Sequence, residues 1–161
     1  MKRLFLIRLL PAWHGNRSKR LAKTPDLHFV DSGPGATLGE LEPGIWNAER
    51  PRFGHLLESF VLHLLIAMAD CMVRPLRFYH DRDRDKIEVE IGTGSGRKIR
   101  GIEIKAGSSV NRDDARGLLK LAGIAGDAFQ ADIVFHDGEA RLPLVREAGI
   151  LAVPISKLWE L

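Results

Sequence analysis

The chain has 161 residues, 45% of them apolar, and a formal net charge of +3, which is one domain of ordinary size with enough apolar side chains to bury a core. A single cysteine, Cys71, excludes a disulfide framework and a cysteine-based zinc site and predicts a reducing, cytoplasmic compartment. No segment reads as long enough for a stable membrane span.

Positive charge gathers at the start, where Lys2, Arg3, Arg8, Arg17, Lys19, Arg20 and Lys23 precede the first acid, Asp26. Such an arm suits phosphate in nucleic acid or at a membrane surface, and reads equally well as a solvated, frayed terminus. The apolar run 4–10 is interrupted by Arg8 and stopped by Pro11, too brief for a signal sequence. Residues 26–31, DLHFVD, alternate as a strand; 32–35 read as a turn and 36–41 as a short helix that Pro43 and Gly44 break. The strongest helix follows Pro51, with Phe53, Leu56, Leu57, Phe60, Val61, Leu64, Leu65, Met68 and Met72 at three- and four-residue spacing until Pro75. Its apolar stripe is wide, which predicts a central, largely covered helix.

Residues 76–80 read as a strand and 81–85 as a charged, solvated turn. Residues 86–105, KIEVEIGTGSGRKIRGIEIK, read as two antiparallel strands around a glycine-rich hairpin loop at 92–96. If Ile87, Val89, Ile91, Ile102 and Ile104 meet on one buried face, Glu88, Glu90, Glu103 and Lys105 gather on the other. Three acids beside one ammonium repel one another unless a cation joins them, and a divalent ion is the natural candidate. Asn111 is placed to cap a helix over 112–125, with Asp113 and Asp114 in its first turn and Gly126 and Asp127 closing it. Residues 131–136 form a strand suited to burial on both faces, 137–138 turn the chain, 150–155 give a last strand, and Ser156 opens a C-terminal turn holding Trp159. From Arg52 onward this is helix, three strands, helix and two strands, an α/β arrangement on a mixed sheet flanked by helices. Residues 1–51 form a basic segment, strand and turn region packed on the core 52–161, one compact domain in all. The histidines at 14, 28, 55, 63, 80 and 136 show no metal-ligand spacing beyond His55 and His63, two turns apart on one helix. The GTGSG loop lies between strands and not before a helix, which argues against a phosphate cradle.

An acid on a helix, an acid on the next hairpin, then Glu-x-Lys, a helix and a strand resemble the core of the PD-(D/E)xK, restriction-endonuclease-like superfamily. More narrowly, five ordered motifs look like the uncharacterised domain found at the C-terminus of many prokaryotic AAA-type ATPases. They are Lys23, Thr24, Pro25, Leu27, Phe29, Val30, Asp31 and Gly33; Gly54, Leu56, Leu57, Glu58 and Val61; Arg82, Glu88 and Val89; Ile102, Glu103, Lys105 and Ala106; and Val153, Pro154, Ile155, Leu158 and Trp159. Asp26 stands where that family usually has lysine and Glu90 where it has aspartate, and no Walker-type loop occurs in the chain.

The resemblance implies a nucleic-acid-acting domain with a metal-dependent phosphodiesterase site. Glu90 and Glu103, with the carbonyl of Ile104, would bind Mg²⁺ or Mn²⁺. Lys105 would orient or deprotonate the attacking water, and Glu58 would hold a metal-bound water or a second ion. Arg97, Lys98 and Arg100 on the hairpin, and Arg112 and Arg116 on the following helix, would contact phosphates. The alternative is a catalytically inactive nuclease-fold domain that docks on an ATPase or on DNA, because glutamate at position 90 reaches about one methylene further than aspartate and metal placement tolerates little error. Glu103 and Lys105 also read as a plain surface pair, and Glu58 as part of a structural network with Arg52, His55 or Lys105. A surface that normally meets the ATPase would be bare here, which predicts self-association as a homo-oligomer.

Overall fold

Both faces of one sheet are buried, and that fixes most of the architecture. In the computed structural model, which describes residues 6–13, 24–73, 76–82, 88–93 and 98–160, the chain runs β1 (Ile7–Leu10), β2 (Asp26–Phe29), α1 (Ser32–Leu38), α2 (Gly54–Asp70), β3 (Arg77–Arg82), β4 (Glu88–Thr93) and β5 (Ile99–Lys105). It continues with α3 (Arg116–Ala125), β6 (Phe129–His136), β7 (Leu142–Val145) and β8 (Ile150–Pro154). Strands β3 to β8 form a mixed sheet in the order β3-β4-β5-β6-β8-β7, parallel only at β5–β6 and β6–β8. β1 and β2 make a separate antiparallel ribbon. The chain just after β1 joins the free edge of β3, with the His80 N–H donating to the Pro11 carbonyl at 3.1 Å.

Helix α3 covers one face of the sheet, where Leu118 and Leu121 cluster with Val89, Ile99, Val134, Val145 and Ile150. Helix α2 covers the other, where Val61 clusters with Ile104, Phe135, Val153 and Leu158, and Ile102 and Ile133 pack beside them. Leu10, Leu62 and Ile66 join the ribbon to α2.

Local chemistry explains the helix starts. Asn111 forms a capping box with Asp114, satisfying free N–H groups at the single 3-10 turn that leads into α3. The residues expected as a turn at 32–35 are instead the first turn of α1, because the Asp31 carboxylate accepts a hydrogen bond from the Gly33 N–H at 2.8 Å and caps the helix. Strand β7 falls where no element was expected; it carries Pro143 and lies at the edge of the sheet, where a missing N–H costs no ladder bond.

Two further expectations change. Helix α2 is covered along one side only, burying Ser59, Val61, Leu62, Ile66 and Ala69 while Phe60 stays exposed, as does Met72 just beyond its end. By length and composition alone, the stretch Arg50–Asp70 would also pass for a membrane span, a test that a core helix passes equally well. The hairpin register differs as well. Glu90 pairs across to Ile102, and Ile91 to Gly101, so position 90 shares a row with Ile102 on the α2 side of the sheet. The expected gathering of Glu88, Glu90, Glu103 and Lys105 on one face is therefore not the pairing found. The reason is physical: with helices on both faces, Val89 is buried under α3 and Ile102 and Ile104 pack under α2, so apolar side chains no longer have to share one face.

Candidate functional site

Glu103 and Lys105, two apart near the end of β5, share the α3 side of the sheet. The Lys105 Nζ lies 2.7 Å from Glu103 Oε1, and the Glu103 side chain is only 12% exposed. Burial pushes the Glu103 carboxyl up to about 7, against the opposing pull of the Lys105 ammonium. The negative charges of Glu58 and Asp114 push it in the same direction as burial. Burial acts to lower the Lys105 pKa, but the charge and hydrogen bond of Glu103 outweigh it, and the net direction is upward. Three carboxylates thus bear on one ammonium. They are not the three read from the hairpin: Glu58 arrives from α2 and Asp114 from the turn before α3.

A family model described as a domain of unknown function, DUF4143, matches residues 53–158. The chain belongs to that family. No curated protein and no solved structure matches it. The DUF4143 match contains Glu58, Glu103, Lys105 and Asp114 and begins after the β1–β2 ribbon.

Within this DUF4143 segment, Glu58 is about one-third exposed, and the partner it takes is His55, whose Nδ1 is 3.1 Å from Glu58 Oε2. Arg52, another partner considered for it, bonds to Glu49 and to the Gly39 carbonyl. The Glu90 side chain and all of Arg97 lie outside the described residues. Ile104 is buried beneath α2. Lys98 and Arg100 are exposed, and Arg100 alternates with Ile99 and Gly101, so it belongs to the α2 side. Arg112 and Arg116 are exposed near α3, held 2.5 Å from Glu147 and 3.5 Å from Asp113. Exposed pairs of this kind are weakly held, so a phosphate can displace the acid.

Sequence reasoning missed Asp114 as a site residue, treating it as a charge favoured by the helix dipole. It missed a second group entirely. Asp26, His28 and His55 each offer a ligand atom within 4.8 Å of the others, although the histidines are far apart in sequence. The Asp-x-His pair on one strand was the available signal.

Proposed function

We propose that this domain binds a divalent cation at the acid cluster around Lys105 and acts on phosphodiester bonds of nucleic acid, as the PD-(D/E)xK resemblance implies. The observation that carries the reading is the charge imbalance at the end of β5: buried Glu103, with Glu58 and Asp114 nearby, faces a single ammonium. That donor set suits a hard cation, which prefers carboxylate and carbonyl oxygens. Glu103 would hold it, with Glu58 or Asp114 binding it directly or through water and the Ile104 carbonyl as a further candidate ligand, while position 90 shares the row of Ile102 and not that of Glu103. When bound, Mg²⁺ or Mn²⁺ would polarise a phosphoryl oxygen and lower the pKa of water. Lys105, already hydrogen-bonded beside Glu103, would orient the attacking water and offset charge developing on the phosphate. The succession of α2, the β3–β4–β5 meander, α3 and parallel β6 supports a nuclease-like core. Lys98, Arg100, Arg112 and Arg116 are exposed cations available to a phosphate backbone.

Cleavage of single- and double-stranded DNA and RNA, with Mn²⁺ and with Mg²⁺, tests this in the wild type and in Lys105→Ala. The expected result is metal-dependent cleavage that falls by about 10²-fold or more in the variant. Cleavage that survives Lys105→Ala removes the assigned role. One observation favours a second reading: Glu90 lies across from Ile102 and not in the Glu103 row. On that reading the domain is a docking module for nucleic acid or an AAA-type ATPase, and a wild type that binds such a partner without cleaving any substrate would select it.

A further inference from the structure

We infer that Asp26, His28 and His55 form a second cation site, for a divalent first-row transition metal such as Zn²⁺, that fastens the β1–β2 ribbon to α2. The site is distinct from the acid cluster in ligand chemistry and does not depend on the phosphodiesterase reading. Asp26 and His28 are two apart on β2 and so project to one side, while His55 comes from the first turn of α2. One ligand atom from each lies within 4.8 Å of the others. One pair, His28 Nε2 and Asp26 Oδ2, is 3.3 Å apart, near the separation of about 3.4 Å that two ligands take around a tetrahedral ion at ~2.1 Å.

The second observation is His28 itself. It is 1% exposed, yet its buried Nε2 makes no hydrogen bond among the described residues, even to the carboxylate 3.3 Å away. Its other nitrogen, Nδ1, lies 3.2 Å from Ser59 Oγ. With the Nδ1–H donated to that hydroxyl, Nε2 presents a lone pair beside a carboxylate, an arrangement that is unfavourable until a cation sits between them. His55 is also held from outside: the Leu27 carbonyl is 2.9 Å from its Nε2 and Glu58 is 3.1 Å from its Nδ1. An ion bound through one nitrogen of His55 would take the place of one of these contacts, and the acceptor on the other nitrogen would orient the ring. Two imidazoles and one carboxylate favour zinc-like ions over Mg²⁺, which takes oxygen ligands.

The test is titration of the full chain with Co²⁺, whose visible absorption reports nitrogen-containing, low-coordinate sites, followed by competition with Zn²⁺. One equivalent of absorbing Co²⁺, displaced by Zn²⁺ but not by excess Mg²⁺, is expected in the wild type and in Glu103→Gln. His55→Ala and Asp26→Asn should lose it. Both altered side chains reach solvent, so these variants remain readable if a substitution at buried His28 prevents folding. Absence of the band in the wild type overturns the inference, as does its persistence in His55→Ala and Asp26→Asn, or its loss in Glu103→Gln.

Discussion

Asp132 lies fully buried within β6, where its Oδ1 accepts a hydrogen bond from the Gly101 N–H at 2.5 Å and its Oδ2 has none among the described residues. Burial raises its carboxyl from 3.8 to about 7, and the Gly101 hydrogen bond only partly opposes that. A raised folded-state pKa means that the folded protein holds this proton more tightly than the unfolded chain. The resulting stability is fully present below about pH 4 and is lost as pH rises through about 7, on the order of 4 kcal/mol in all. Asp132→Asn should therefore flatten the fall in melting temperature between pH 4 and 8. Glu103 shifts in the same direction, so some slope should persist. An unchanged slope would mean that Asp132 is ionised at neutral pH. Gly101, opposite Asp132, is fixed by space: a Cβ there would sit 2.7 Å from Leu118 Cδ2 and 2.9 Å from Asp132 Oδ1. Gly101→Ala should cost about 1–3 kcal/mol in chemical denaturation, and a neutral substitution would show that α3 can shift away from β5.

Helix α3 and the β4–β5 hairpin were legible from short-range signals. Asn111 caps as read, and Gly126 ends α3 in a positive-φ conformation. Asn111→Ala should destabilise by about 1 kcal/mol, a few degrees in melting temperature, because it removes the side-chain acceptor of the Asp113 N–H while the backbone N–H at position 111 keeps its bond to Asp114. No change on that substitution would show that the box contributes nothing to the helix start. Strand β7 and the start of α1 were less legible, since the same residues serve two purposes: Pro143 is a breaker inside a sheet and tolerated at its edge, and the Gly33–Pro34–Gly35 run is a turn unless a cap such as Asp31 converts it.

At the scale of the molecule, alternation along β4 and β5 identified strands but not their register, because both sheet faces are buried and either offset finds an apolar partner. The Glu103–Lys105 pair was legible because it is local to one strand. Glu58 was a site candidate only through the family resemblance, whereas Asp114 and the Asp26–His28–His55 group were not legible as site members, since these residues meet only when α2, the turn before α3 and the β1–β2 ribbon dock around the sheet. The two clusters are joined through the Glu58–His55 hydrogen bond. The most direct measurement of the acid-cluster account is calorimetric titration of Mg²⁺, which the nitrogen-containing second site disfavours, into the wild type, Glu103→Gln and His55→Ala. Saturable binding in the wild type, abolished by Glu103→Gln and kept in His55→Ala, is the predicted result. Binding of equal affinity and stoichiometry in Glu103→Gln would contradict it.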